Sequence, residues 1–282
     1  MKAYKYRDPS ERTLEILSSR KIYFPHAAQL NDPLDSQINI DAEYQKVVDK
    51  FPPNHSEEYL RKSFLIYLLN QHSFPDKNGK EMGLNGALQR FISTLGIYSL
   101  SKTPIDALLW SHYGGSHKGV AIEFDTDLIQ AQGIFIRDNV TYAQQPPYQD
   151  LFLTLAEKLG EFVKPWEENN KFEDKIGDAF YTHQLSQLMR ANLFVKSEKW
   201  KYEEEYRIVS NRFGPQAFPA EAVKSITFGL KSEIDFIRRI EKITNNPEYA
   251  HVKLNFVQHK TGSFEFELTG YSSTLMKLDQ TT

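Results

Sequence analysis

The sequence contains no cysteine, and this absence excludes several kinds of site at once. Disulfides, thiolate zinc sites, iron–sulfur clusters and a cysteine nucleophile all need a sulfur that the chain lacks. A reducing compartment suits a chain of this kind, and we expect the protein to be cytoplasmic.

The chain also lacks a strong excess of one charge and a long apolar run. Its 34 Lys and Arg residues stand against 37 Asp and Glu, for a formal net charge of -3, so no broad basic surface for nucleic acid is predicted. No uncharged run reaches 18 residues, and the opening MKAYKYRDPSERTLEIL carries charges where a secretory peptide needs an apolar core. We therefore expect a soluble protein that makes no membrane contact and in which any phosphate site is local.

What the sequence does have is a globular composition that is rich in aromatic residues, with 19 Phe, 15 Tyr and 3 Trp among 282 residues. A chain of this length forms one large domain or two small ones. Short strand patterns are separated by two stretches of helical spacing, at about residues 42–96 and 148–195. We predict a single α+β domain over residues 1–282, with a mixed or antiparallel sheet and two helical insertions.

Alternation and turn residues predict the individual elements. The predicted strands cover residues 3–7, 21–25, 97–101, 119–125, 134–142, 205–210, 225–229, 251–258 and 263–269. The predicted helices include residues 9–19, 84–94, 148–163, 172–193 and 233–244, the segment SEEYLRKSFLIYLLNQH, and a helix that starts at Thr103-Pro104-Ile105-Asp106.

The densest polar cluster is KSEKWKYEEEYRIV, a charged turn that runs into an apolar strand. Alternate side chains of a strand share a face, so Glu203, Glu205 and Arg207 are predicted on one side, with Tyr206 and Ile208 on the other. Two carboxylates beside a guanidinium acquire different pKa values, which divides acid/base or charge-stabilising roles between them. The alternative is a solvated turn with an Arg–Glu ion pair.

A second polar and aromatic cluster lies between two predicted strands. It contains Ser99, Ser101, Asp106, Trp110, Ser111, His112, Tyr113 and His117. No GxSxG motif accompanies the Ser, His and Asp residues, so a hydrolase triad has weak support, and the histidine spacing fits no familiar zinc pair. We expect no metal. Trp110 and Tyr113 share a helical face, which is typical of core packing, with stacking on a ligand as the alternative.

Aromatic and cationic residues alternate in the first strand, where Tyr4 and Tyr6 face one way and Lys5 and Arg7 the other. The cation pair suits a phosphate or a carboxylate. A solvated edge strand is the alternative.

The segment Asn31-Asp32-Pro33 predicts a tight turn, because Asn and Asp side chains bond to their own backbone and proline fixes the next dihedral. Asn31 is also kept as a candidate ligand contact.

Several motifs in this order resemble the bacterial "domain of unknown function 2971" family. They are YKYR, IYFPHAAQLNDPLD, YSLSKTPIDALLWSHYGGSHKGVAIEFD, VTY, KSEKWKYEEEYRIV and ITFGL. The resemblance covers residues 4 to about 230. The most specific parts are NDP, WSHY with a following HKG, and WxYExEYR.

A more distant resemblance is to the ADP-ribosyltransferase fold, which has a basic residue on its first strand, a serine or an aromatic residue on a middle strand and a final ExE strand. It implies that Arg7 holds a phosphate and that Ser99 or Ser101 occupies the middle strand. It also implies that Glu203 and Glu205 form the ExE pair, with Glu205 gripping the nicotinamide ribose and stabilising an oxocarbenium-like cation. The chain departs from that fold in having no STS triplet.

The same resemblance suggests which rings stack on nicotinamide. The candidates are Tyr23, Trp110 and Tyr113. The full set of predicted site residues is Glu205 and Glu203 as catalytic residues, with Arg7, Tyr6, Tyr23, Asn31, Ser99, Ser101, Trp110, His112, Tyr113 and Arg207 in binding.

The leading hypothesis is a nucleotide-using transferase or glycohydrolase of the ADP-ribosyltransferase type that takes NAD as its substrate. Such an enzyme suits a bacterial toxin or phage-defence effector, with a macromolecular acceptor or an antitoxin as partner. The first alternative is a non-catalytic module that senses a nucleotide or a partner protein. The second is a nuclease in which Glu123 and Asp125 hold Mg²⁺.

Overall fold

A computed structural model of the chain describes residues 1–36, 39, 42–43, 46, 74–75, 81–82, 84–130, 133–148 and 186–271. The chain forms two compact units. The first comprises Met1–Pro25, Gly96–Val140 and Lys199–Thr282, and the second His26–Leu95 and Thr141–Glu198. The second unit contains almost all of the two predicted helical insertions, residues 42–96 and 148–195. The predicted helices over SEEYLRKSFLIYLLNQH and, apart from its first residue, over 148–163 lie outside the described residues.

The described strands, in chain order, agree with the predicted ones to within a few residues, with the exceptions below. They are β1 (Lys2–Arg7), β2 (Lys21–Phe24), β3 (Phe74–Pro75), β4 (Glu81–Met82), β5 (Gly96–Ser101), β6 (Val120–Asp125), β7 (Ile134–Asn139), β8 (Thr141–Ala143), β9 (Val195–Ser197), β10 (Glu205–Ser210), β11 (Gly214–Ala217), β12 (Val223–Phe228), β13 (Lys253–His259) and β14 (Phe266–Gly270). The predicted strand over 134–142 is divided into β7 and β8, and four short strands were not predicted: β3, β4, β9 and β11, the last of which pairs with β2.

The first unit is built on an eight-stranded sheet with the order β14-β13-β12-β6-β1-β5-β10-β7. Within this sheet β12 and β13 are parallel, and every other pair of adjacent strands is antiparallel. The α+β class with a mostly antiparallel mixed sheet is therefore confirmed.

Four α-helices have defined bounds: Glu11–Ser19, Leu84–Thr94, Ala107–His112 and Ile234–Thr244. Leu84–Thr94 has its predicted bounds. Ile234–Thr244 connects the two parallel strands and buries Phe236, Ile237 and Ile240 at helical spacing. No helix among the described residues is long and apolar enough to cross a membrane.

The main hydrophobic core lies against one face of the large sheet, which we call the core face. It takes Ala3, Leu100, Ile122 and Ile208 from four strands. Leu14 and Leu17 of the first helix pack against them. Alternation sends the intervening side chains to the opposite face, which we call the motif face because it carries Glu205 and Arg207 of the ExEYR motif.

Strand β1 is a central strand, so the solvated-edge interpretation of its cations is wrong. It pairs with β6 along its whole length but with β5 only at Tyr4 and Ser101, within these fully described strands. Beyond that pair, the Lys5 ammonium donates to the Ser99 carbonyl oxygen at 2.8 Å. A side chain thus satisfies a backbone acceptor where the strand pairing has stopped.

In the second unit, the Asn31-Asp32-Pro33 turn forms as predicted. The Leu34 N–H donates to the Asp32 carboxylate at 2.9 Å, the local bond expected of an Asx turn. Nearby, Asp35 forms a buried ion pair with Lys196 at 3.8 Å.

Candidate functional site

A row of polar side chains crosses five strands of the motif face. In the strand register, Tyr4 lies between Ser101 and Glu123. Ser101 is in turn paired with Glu205, and Glu123 with Ser225. Directly opposed residues have β-carbons about 5 Å apart. The row therefore places two carboxylates and three hydroxyls in line, and all but Tyr4 are buried.

Glu205 and Arg207 bind each other on the same strand face. The Arg207 Nε donates to Glu205 Oε1 at 2.6 Å and its terminal nitrogen donates to Oε2 at 3.0 Å. The exposed fraction is 4% for Glu205 and 0% for Arg207, so this is a buried, bidentate pair and not a solvated one. The negative charge of Glu205 is thereby balanced within the motif.

Glu203 is not on the strand face on which it was predicted. It ends the 3₁₀ helix Glu198–Glu203 and is not part of β10, because Glu204 has a left-handed backbone with φ 42° that interrupts the extension. The Tyr113 hydroxyl donates to Glu203 Oε1 at 2.7 Å. Burial, this bond and the charge of Glu203 raise the pKa of Tyr113, with a smaller contribution from the charge of Glu205.

The Tyr113–Glu203 bond joins the two sequence clusters, which are ninety residues apart. Asp106 caps the short helix Ala107–His112 by accepting from the Leu109 N–H, and Tyr113 follows as its C-terminal cap. Tyr113 therefore brings the end of the Trp110 helix into contact with the ExE segment.

Trp110 itself is a core residue. Its ring is fully buried, its Nε1 donates to the Pro104 carbonyl oxygen at 2.8 Å, and Tyr6 packs edge-on against it at 5.0 Å. Tyr6 is also buried and donates its hydroxyl to the Thr103 carbonyl oxygen. Packing therefore accounts for both residues, and stacking of Trp110 on a ligand would require exposed ring surface that it lacks.

Partly exposed rings lie beside Glu203 instead. His112 is exposed, and its ring centroid is 6.2 Å from that of Tyr113 and 6.3 Å from that of Tyr202. Trp200 extends the group, at 6.0 Å from Tyr202. Burial and the Glu203 charge raise the pKa of Tyr202. Tyr202 and Trp200 are additions to the predicted set, and the WxYExEYR spacing was the available signal for them.

Arg7, Tyr23 and Asn31 are not part of the motif face. Register pairs Arg7 with Val120, a residue of the core face, so Arg7 and Glu205 project from opposite faces of the sheet. Tyr23 belongs to the separate β2–β11 sheet and is 49% exposed, and Asn31 is an exposed residue of the second unit. Ser99 pairs with Arg207 on the motif face.

The two acids of the nuclease hypothesis are engaged by other groups. Glu123 binds the Ser225 hydroxyl at 2.6 Å and the Lys2 ammonium at 3.1 Å. Asp125 pairs with the N-terminal ammonium and with Lys224. No cluster of three potential metal ligands occurs within the described ranges, so the nuclease hypothesis has no metal site to build on there.

The HKG segment beside the site is tightly packed, because a β-carbon at Gly119 would collide with the carbonyl oxygen of Arg7. In this segment His117 Nε2 lies 3.1 Å from the Ser111 hydroxyl, while its Nδ1 is buried without a hydrogen-bond partner. Burial, and then Lys231 and His259, lower the pKa of His117 below its ordinary 6.5.

This lowered pKa predicts a pH dependence of stability. As the pH falls through 6.5, the unfolded chain takes up a proton at His117 before the folded chain does. The free energy of unfolding is therefore expected to be highest above that pH and to decrease below it, until the lower folded pKa is passed. His117→Asn, which suits the φ of 69°, should remove part of the decrease in urea unfolding between pH 5 and 8. His112→Asn is the control, and equal pH slopes in both variants would contradict the assignment.

Residues 109–208 match the family described as "Protein of unknown function (DUF2971)". The match begins in the Trp110 helix and ends in β10, so it contains WSHY, HKG and WxYExEYR. The resemblance to this family is confirmed over those residues. No curated protein and no solved structure matches the chain, and the likeness to the ADP-ribosyltransferase fold stays a prediction.

Proposed function

We propose that the protein is an enzyme that cleaves the bond between nicotinamide and ribose in NAD, with transfer to water or to an acceptor group. The main support is Glu203, a carboxylate held at 2.7 Å by Tyr113 beside the partly exposed rings of Tyr202 and His112. A fixed negative charge stabilises positive charge that develops in a transition state. Partly exposed aromatic rings offer a surface for a flat base.

In the proposed reaction the bond between C1′ of the ribose and the nicotinamide nitrogen breaks. Nicotinamide leaves as a neutral base with the bonding electron pair, and the ribose becomes an oxocarbenium-like cation beside Glu203. A water oxygen then bonds to C1′ and releases a proton, which gives ADP-ribose. Tyr113 orients Glu203, while Arg207 balances the charge of Glu205 and fixes its position.

An NAD-consuming activity of this kind would suit a bacterial toxin or a phage-defence effector. A macromolecular acceptor would replace water in a transferase, and an antitoxin would bind to prevent turnover.

A non-catalytic nucleotide-binding module is the second candidate, and one feature favours it. Glu205 and Arg207 of the ExEYR motif bind each other, and Trp110 is wholly buried, so much of both motifs is accounted for by packing. In that case NAD would bind and remain intact.

Incubation of the purified protein with NAD separates the two candidates. We expect free nicotinamide to accumulate with time, as measured by chromatography, and the rate to be unchanged by EDTA because the proposed chemistry uses no metal. Glu203→Gln is the control for a contaminating activity. NAD that binds in calorimetry but stays intact would support the binding module, and NAD that neither binds nor reacts would contradict both.

A further inference from the structure

Two cations and a phenol lie together on the core face, where β1 and β5 stop pairing. The Lys5 ammonium lies 4.9 Å from the centre of the Tyr98 ring, and the Arg7 charge is close enough to Tyr98 to offset part of the rise in pKa that burial causes. Lys5 and Arg7 are both half-buried, whereas Tyr98 is only 3% exposed. The group therefore has a phenol at its base and cations towards solvent.

Two donors in this group have no acceptor. The Tyr98 hydroxyl and the Arg7 Nε are both buried, and neither has a hydrogen-bond partner. No carboxylate pairs with Arg7 within the part of the chain that the structure describes. Buried donors without acceptors are rare in folded proteins, since each costs the free energy of its lost hydration.

Tyr98 cannot turn to solvent for an acceptor, because Phe24 packs against its ring at 5.2 Å and Phe124 at 6.4 Å. The pairing with Val120 fixes the backbone of Arg7, and its Nε is buried. The Tyr98 phenol is therefore held in place by its neighbours, and an acceptor for it has to come from a bound group.

We propose that Arg7, Tyr98 and Lys5 form a binding site for one phosphoryl group. A phosphoryl oxygen accepts from the Tyr98 hydroxyl, the Arg7 guanidinium binds two oxygens through Nε and a terminal nitrogen, and the Lys5 ammonium adds a second positive charge. The site is on the opposite face of the sheet from Glu203 and does not depend on the proposed NAD cleavage.

Calorimetric titration with inorganic phosphate tests this site directly. We expect Arg7→Gln to weaken phosphate binding about tenfold or more, the loss expected for a hydrogen bond to a charged group. Arg12→Gln is the matched control, because it removes the same charge from an exposed position of the first helix. Equal phosphate affinity in the two variants, or no binding by the wild type, would overturn the proposal.

Tyr98→Phe gives a second, independent measurement. Without ligand it should raise the melting temperature by about 2 °C or more, because it removes a buried donor that lacks an acceptor, and it should also weaken phosphate binding. Tyr249→Phe is the matched control: its hydroxyl donates to the Leu17 carbonyl oxygen at 2.6 Å, so the same substitution should lower the melting temperature. A lower melting temperature in Tyr98→Phe, or unchanged phosphate affinity, would overturn the proposal.

Titration with AMP identifies the source of the phosphoryl group. Tighter binding of AMP than of inorganic phosphate would indicate a nucleotide, and equal binding a phosphoryl group alone. Because phosphate and AMP lack nicotinamide, the result is independent of whether NAD is cleaved.

Discussion

Arg207→Met is expected to lower the free energy of unfolding by about 3 to 5 kcal/mol, the range for breaking a buried ion pair from one side. Glu205 would keep its 4% exposure but lose both guanidinium bonds, at 2.6 and 3.0 Å. The cost arises mainly because a buried carboxylate loses the guanidinium that binds both of its oxygens. Urea unfolding followed by circular dichroism measures it, and the melting temperature should fall by about 10 °C.

Two further variants show whether the pair causes this loss. Arg212→Met removes an arginine just beyond the end of the same strand, where the side chain is exposed, and should change the free energy of unfolding much less. Combining Glu205→Leu with Arg207→Met removes both charges and should recover part of the stability. A loss below about 1 kcal/mol in the single variant, the value typical of a surface pair, would contradict a buried role for Arg207.

Local patterns were sufficient to predict most elements of the first unit. Strand β10 alternates Tyr206 and Ile208 towards the core with Glu205 and Arg207 away from it, and this alternation is visible in the sequence. The helix Leu84–Thr94 was predicted with its observed bounds for a similar reason. The spacing of apolar residues along a strand or helix indicates which side of that element is buried, and this spacing can be read from the element's own sequence.

The composition of the site could not be predicted in the same way, because it depends on which strands become neighbours. Ser225 and Glu205 occupy one row only because β12, β6, β1, β5 and β10 are adjacent, and no local pattern fixes that order. A single left-handed residue, Glu204, removes Glu203 from the alternation on which its predicted position relied. The central place of β1 likewise puts Arg7 against the core instead of at a solvated edge.

Glu203→Gln is expected to reduce NAD cleavage by about 100-fold to 1,000-fold while the protein stays folded. The amide has the volume of the carboxylate, and its oxygen can still accept from Tyr113, but it lacks the charge that stabilises the cation. Glu203 is a sharper test than Glu205, because neutralising Glu205 would remove the carboxylate that binds the buried Arg207 and would mix stability with activity.

Glu204→Gln is the matched control, since it changes the adjacent, exposed carboxylate by the same substitution and should retain the rate of nicotinamide release. Tyr113→Phe should give an intermediate loss, because Glu203 keeps its charge but loses the 2.7 Å bond that orients it. The expected rates therefore decrease from Glu204→Gln to Tyr113→Phe to Glu203→Gln, which separates an effect of charge from an effect of packing. If packing alone mattered, Glu203→Gln would be as active as the wild type at equal melting temperature. Such a result would remove Glu203 from the catalytic role and leave nucleotide binding as the function that the site supports.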